Sequence, residues 1–531
     1  MAFKKKESTA SEVFILTLPL HCEPWQRDRL DKLFHCCNNI KNALIGRKLK
    51  ALKQLERRRD WRALQADIAS VYAGVSSKEK LTLEQKKALK TLFEKRSVML
   101  KELGFEKYAF EAAVKPIAKH YGGMIHSQVA QKIAYSVWSA FNSYLYKNGK
   151  QISFSPIGEF TSIEGKSNKT GLRYIDGSFV YKALGLNIPV SFSRKDTYCY
   201  EEQCLQCPIH YCKLIRKWYP EGWRYFIQLV LGGKPPQKIR RSTGEYKPEL
   251  GAGRVGMDIG TQTLAVSSEN IVQMHVLAEK VQPIEDEIKR LNRAMDRSRR
   301  ATNPEMFYED GRVIPIDQLS EEYIIHRDAY KKRRWVKSKR YKVLEAQRRY
   351  LYRKQAECRS QMHHELANQI LPLGDSFFIE DMDFKALAKK TKEAKKNKRG
   401  KRQSRKRFGK SIANKAPAAF VNILEEKVLR LGGTFERVST FDTKASQFDH
   451  IDHTFKKAKL SKRWKTLADG TRVQRDLYSA FLLQSLNDTL DGYDDTYIKA
   501  HFSNFKTLHD LEIKRLMTVD TPSSVGVRKV N

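Results

Sequence analysis

The sequence predicts a multidomain α+β protein, and three observations carry that prediction. Its 531 residues exceed what one hydrophobic core serves, which implies roughly two to four domains. Near Gly149 the texture changes from apolar residues at helical spacing to short alternating runs. Farther on, two apolar strand-like runs each lead to an acid, Asp258 and Glu380, within a region otherwise helical.

In chain order, Val13 to Leu20 reads as a strand ended by the His21-Cys22-Glu23-Pro24 break. From Trp25 to about Ala66, Leu30, Leu33, Phe34, Ile40 and Leu44 recur on one helical face, and a second helical block covers about Thr82 to Leu145. Gln151 to Phe154, Asn187 to Phe192, Lys213 to Ile215 and Tyr225 to Leu231 alternate as strands between turn residues, the pattern of a small β-barrel that Val13 to Leu20 would complete. Gly232 to Gly253 reads as a linker. Val255 to Val266 then predicts a hairpin with Asp258 in its first strand. A helix over about Val276 to Arg297 follows, then a long basic helix from Ser320 or Ser338 to Ile370. Asp375 to Met382 is an apolar strand, Pro417 to Leu431 a helix stopped by Gly432-Gly433, and Thr434 to Val438 a strand. Beyond an irregular stretch, Ser439 to Gln474, Asp476 heads an apolar helix; residues past about Thr518 are expected to be disordered.

Lys and Arg number 100 against 60 Asp and Glu, a formal charge of +40. Self-repulsion of that size calls for a polyanion, so nucleic acid is the expected partner. A membrane is excluded by the lack of any apolar run of bilayer length, and Met1 to Ser11 has no signal-peptide core. Fourteen of the 26 residues from Lys385 to Lys410 are Lys or Arg, which predicts a phosphate-binding loop. The eight cysteines form no disulfide framework and fit a reducing cytoplasm. Cys199, Cys204, Cys207 and Cys212 have zinc-like spacing, but strand alternation would send them to opposite faces, so structural zinc is not expected.

A carboxylate in an apolar strand is costly unless it meets a cation. A strand-end Asp capping a turn would look the same as Asp258, and an acid favoured by a helix dipole the same as Asp476. If Asp258, Glu380 and Asp476 met, they would repel one another, and divalent cations are the usual means of holding such a cluster. Two hard cations bridged by carboxylates can activate water for phosphodiester cleavage.

GMDIGTQTLAV, FFIEDMDFKAL and QRDLYSAFLL resemble the three motifs of a split RuvC-type, RNase H-like nuclease. More closely, the chain resembles the transposon-encoded TnpB proteins and the compact type V CRISPR effectors derived from them. The likeness extends to WRYFIQLVLGG at the end of a β wedge, to a basic helix pair between the first two motifs and to a lysine-rich lid after the second. It implies an α/β RuvC-like nuclease domain and a β-barrel wedge with an inserted helical recognition domain. The implied boundaries are 1–20 and 149–250 for the wedge, 21–148 for the recognition domain, and 251–438 with 475–518 for the nuclease domain, whose lid spans 385–410. Residues 439–474 replace the family's four-cysteine finger, for which no cysteine is present there, and 519–531 form a disordered tail.

The resemblance places metal ligation and catalysis on Asp258, Glu380 and Asp476, with two Mg²⁺ or Mn²⁺ ions. It implies an RNA-guided DNA endonuclease of the prokaryotic cytosol that takes a transposon-end or CRISPR guide RNA and double-stranded DNA beside a short flanking motif. Nucleic-acid contacts are expected from Lys395, Lys396, Arg399, Arg402, Arg405 and Arg407 on the lid and from Lys339, Arg340, Arg348 and Arg349 on the basic helix. The alternative is a guide-directed DNA binder or repressor that does not cut.

Overall fold

The computed structural model describes residues 12–529 except 74–80, 147–148, 150, 197, 240–243, 246–248, 328–329, 392, 394–399, 401–404, 406–407, 441–442 and 460–461. The chain divides into two compact units, Met1–Glu245 and Tyr246–Asn531. Among the described residues no helix is long and apolar enough to cross a membrane.

The first unit contains β1 (Val13–Pro19), α1 (Pro24–Arg57), α2 (Arg59–Ala73), α3 (Leu83–Glu102), α4 (Lys107–Lys119), α5 (Ser127–Tyr146), β2 (Ser162–Glu164), β3 (Arg173–Ile175), β4 (Ser178–Tyr181), β5 (Leu186–Pro189), α6 (Tyr200–Leu205), β6 (Ile209–Tyr219) and β7 (Gly222–Gly232). Glu23 and Gln26 form a reciprocal capping box that starts α1, with Pro24 in its first turn. The buried stripe Leu30, Leu33, Phe34, Ile40 and Leu44 follows from the 3.6-residue period. β1 pairs antiparallel with β7, Val13 opposite Gly232 and Pro19 opposite Phe226. The unit's first strand therefore joins its last, and α1 to α5 lie between them as an insertion.

Where the alternation predicts one barrel, the strands form two sheets, β1-β7-β6-β2 and β3-β4-β5. Main-chain bonds from His21 to Pro189 and from Ser191 to Pro19 join them. On the far side the Asn168 side chain accepts the Tyr174 N–H at 2.8 Å and donates to the Tyr174 carbonyl at 3.1 Å, while the Asn168 N–H bonds to His210. One amide side chain thus stands in for a strand between β3 and β6. Gln151 to Phe154 belongs to neither sheet; its alternation has no partner to act on.

The second unit contains β8 (Arg254–Ile259), β9 (Thr263–Ser267), β10 (Val272–Val276), α7 (Val281–Thr302), β11 (Ile324–Arg327), β12 (Tyr330–Arg333), α8 (Lys339–Ile370), β13 (Ser376–Glu380), α9 (Phe384–Leu387), α10 (Gly409–Lys415), α11 (Pro417–Arg430), β14 (Thr434–Val438), β15 (Phe448–Asp449), β16 (Thr454–Phe455), β17 (Trp464–Thr466), β18 (Arg472–Gln474), α12 (Arg475–Gln484) and α13 (Asp495–Leu516). Its main sheet runs β10-β9-β8-β13-β14. β8 is antiparallel to β9 and parallel to β13, which is parallel to β14.

Period-two alternation sorts the side chains of β8 and β13. Val255, Met257, Phe377 and Ile379 enter the core that Phe420, Val421 and Leu424 of α11 complete. Gly256, Asp258, Phe378 and Glu380 therefore face the opposite side, where Phe378 packs in the core of Leu477 and Phe481 of α12.

Several local expectations are corrected. Val276 ends a strand that the sequence did not announce, so α7 begins five residues later. Of the two starts expected for the basic helix, Ser338 is right: its hydroxyl caps the Tyr341 N–H, and the residues after Ser320 instead form the β11–β12 hairpin. The tail expected to be disordered is packed as far as Val527, with Val525 and Val527 buried in the α12 core.

A Cβ at Gly256 would lie 2.0 Å from the Ala480 carbonyl and 2.3 Å from the Gln484 nitrogen. Both are backbone atoms of α12, so neither can move without the helix. Gly256→Ala should cost about 3 kcal/mol and lower the urea midpoint of this unit, with unchanged stability as the contrary result.

Candidate functional site

The site lies at the carboxyl ends of the two central parallel strands, the place where open α/β sheets bind ligands. Asp258 sits near the end of β8 and Glu380 ends β13. Phe378 is level with Gly256 and Ile379 with Met257, so one step farther Glu380 comes level with Asp258. Asp476 enters from the first turn of α12, the helix that crosses β8 at Gly256. The structure therefore brings the three acids of the three motifs together.

Their electrostatics record the crowding. Asp258 keeps some accessible surface, but enclosure of its carboxyl pushes its pKa well above the ordinary value, and the charges of Asp476 and Glu380 push it further. Arg475 and a hydrogen bond from Ser479 act in the opposite direction. Glu380 is also raised by burial, opposed by the Ala445 N–H and the Thr443 hydroxyl, each 3.3 Å from its Oε1. The Tyr493 hydroxyl holds this loop by donating to the Thr443 carbonyl at 2.7 Å.

Asp476 is held by cations. Arg475 Nη2 is 3.1 Å from its Oδ1 and Arg463 Nη1 is 3.6 Å from its Oδ2. The buried Gln474 places the helix: its Oε1 caps the Leu477 N–H at 2.8 Å, and its amide nitrogen donates to Asp476 at 3.4 Å. Among the described residues no set of three or more His, Cys, Asp and Glu side chains is drawn tightly enough together to hold a metal ion as it stands. The donor set is still of the right kind, because shielded carboxylate oxygens that repel one another suit a hard divalent cation.

Ser479, Thr443, Ala445, Tyr493 and Arg463 escape sequence reasoning. Ser479 alone left a signal, since three residues beyond Asp476 it lies on the same helical face. Thr443, Ala445 and Arg463 reach the site through an insert whose path no periodicity specifies, and Tyr493 lies between α12 and α13 and acts through Thr443.

Of the expected nucleic-acid contacts, Lys395, Lys396, Arg399, Arg402 and Arg407 lie outside the described residues. Arg405 is exposed and bonds the Thr391 carbonyl. Lys339, Arg340 and Arg349 are exposed along α8, whereas Arg348 bonds Asn292 of α7 at 3.1 Å. The cysteine cluster is spread over helix and strand: Cys204 is buried in α6, and Cys212 on β6 donates its thiol to Asn168 at 3.1 Å. All eight cysteines are free.

No family model and no curated protein matches this sequence. Solved structures that match include a cryo-EM structure of a Cas12f1-sgRNA-target DNA complex, at 11% identity and a TM-score of 0.42, covering 90% of this chain and 99% of that one. A CRISPR-Cas12f ternary complex matches at 11% identity and a TM-score of 0.24, covering 89% and 98%. Likeness at these scores carries no inference about function.

Native Asp258 holds its proton more tightly than the unfolded chain does, so metal-free stability falls as pH climbs from the ordinary carboxylate range toward the raised folded value. Asp258→Asn removes that loss. Near neutral pH in EDTA its Tm should exceed the native protein's. Added Mg²⁺ should raise the native Tm and leave the variant's unchanged.

Proposed function

We propose that the protein is a metal-dependent, RNA-guided DNA endonuclease of the TnpB and compact type V CRISPR effector kind, with one RuvC-like site. The observation that carries this reading is the meeting of the three motif acids at the carboxyl edge of the sheet, where Asp258 feels the charge of both Asp476 and Glu380. Asp258, Glu380 and Asp476 would hold two Mg²⁺ or Mn²⁺ ions. When bound, such ions supply an activated water and neutralise the leaving oxygen of a phosphodiester. The chain's own contribution is orientation: Thr443 and Ala445 aim Glu380, Ser479 steadies Asp258, and Arg475 offsets the charge of Asp476.

Guide RNA and target DNA are the proposed partners, supported by the charge of +40, the exposed Lys339, Arg340 and Arg349 of α8 and the motif resemblance. Residues 1–20 with 149–250 are assigned as the wedge and 21–148 as the recognition domain, supported by the pairing of β1 with β7 around the helical insertion. The nuclease domain is assigned to 251–438 and 475–518. A guide-directed binder that does not cut is the second reading, favoured by the pairing of Asp476 with Arg463 and Arg475.

RNA copurifying with the protein identifies the guide, and DNA matching it is then the substrate. In Mg²⁺ the complex should cut, and Asp258→Ala should lower the rate by more than about 10²-fold, since even outer contacts to a metal site are worth roughly 10–100-fold. Cutting that survives this substitution sinks the site assignment, and binding without scission selects the second reading. Thr443→Val, which deletes a donor to Glu380, should slow cutting about tenfold, with Thr443→Ser restoring it.

A further inference from the structure

The turn that carries Asp476 is set by Gln474, which is wholly buried. Its Oε1 accepts the Leu477 N–H at 2.8 Å, so its amide nitrogen must face the other way, toward the Val525 carbonyl at 3.1 Å and Asp476 Oδ2 at 3.4 Å. Its main-chain N–H donates to a side chain of α13, His509 Nε2, at 2.9 Å. An imidazole nitrogen that accepts a hydrogen bond carries a lone pair, which places the ring proton on Nδ1. Asp510 Oδ1 lies 2.8 Å from Nδ1 and accepts that proton's hydrogen bond. His509 is 1% exposed, and the rings of Phe505 and Trp464 flank it with centroids 5.7 and 6.2 Å away. Its tautomer and its rotation are therefore both fixed, and water is kept from it.

A carboxylate that fixes a histidine, which in turn fixes a group beside the ligands, is a common way for outer contacts to orient a metal site. Resting on the metal-site reading of the three acids, we infer that His509 is a positioning residue for the third of them: Asp510 sets its proton, its Nε2 holds the Gln474 main chain, and the Gln474 amide holds the Asp476 carboxylate. Arg475 and Arg463 neutralise Asp476, but their charge does not fix where the helix begins. The relay does, because it ties the last residue of β18 to α13 and the head of α12 to that same residue. Val525, fully buried in the tail, completes the clasp by accepting from the Gln474 amide.

The test is Mn²⁺ binding to the full-length protein without nucleic acid, followed by the electron paramagnetic resonance signal of the free ion. His509→Phe keeps a ring in place but leaves the buried Gln474 N–H without its acceptor, and the Mn²⁺ dissociation constant should rise about tenfold, the lower end of what an outer contact to a metal site is worth. His509→Gln, whose Oε1 can accept in place of Nε2, should restore binding. If His509 only filled the core, the order would reverse, because phenylalanine preserves the ring packing and glutamine does not. Should His509→Phe fail to fold, Asp510→Ala carries the test: this carboxylate is half exposed, and its loss should weaken Mn²⁺ binding in the same direction. Unchanged binding in a folded His509→Phe or, in its stead, in Asp510→Ala, or equal weakening in His509→Phe and His509→Gln, overturns the relay. Native protein that binds no Mn²⁺ sinks the metal-site reading, whereas native binding indifferent to these substitutions sinks the relay alone.

Discussion

The close approach of α12 to β8 at Gly256 is the constraint on which the second unit depends. Only a residue without a side chain lets the Ala480 carbonyl and the Gln484 nitrogen lie where they do. That contact fixes the depth of the helix on the sheet, and the depth fixes where Asp476 stands relative to Asp258, two residues along the strand on the same face. Ser267, buried on β9, donates to the Gln484 side chain at 2.7 Å and sets the other end of the helix. On this face Gly256 and Phe378 precede Asp258 and Glu380, so the two strand acids stand together at one edge of the sheet.

The insert that precedes α12 is held without cysteine ligands. Asp449, almost wholly buried, accepts the Ile451 and Ala468 N–H groups at 3.1 Å each and thereby ties two small hairpins together. The Lys465 ammonium bonds the Phe448 carbonyl, His450 pairs with the Tyr478 hydroxyl at 2.7 Å, and Phe448 stacks on Tyr493 with ring centroids 4.4 Å apart. Phe448 and Trp464 pack this segment onto the α12 core, whereas Phe455 is half exposed and covers Phe448. The aromatic stack also reaches the site, because Tyr493 holds the loop that aims Glu380.

What the sequence conveys follows from how local the physics is. Strand period, glycine placement and the acid at each strand end lie within a few residues of one another, so the β8–β9 hairpin, β13 and the head of α12 are legible. The short strands β2 to β4 are not, because three or four residues carry too little period to separate from turns. β10 is hidden for a related reason: Val272 to Val276 owes its strand state to pairing with β9, a non-local cause. The tail reads as disordered because its polar residues outnumber Val525 and Val527, yet these two suffice once a groove is formed by residues far away in sequence.

The three acids differ in what neutralises them, and that difference has consequences. Asp258 and Glu380 stand among apolar strands and meet hydrogen-bond donors but no directly paired cation, so burial pushes both toward their protonated forms. Asp476 stands at the mouth of the helix and is paired with Arg475 and Arg463, the first of which also acts on Asp258. An arginine can satisfy one carboxylate from the side, but its planar fork cannot fit between two strands to serve all three. A compact divalent ion has no such planar constraint. The neutralisation is therefore unequal across the three: the pair on the sheet relies on burial and hydrogen-bond donors, and Asp476 on its arginines.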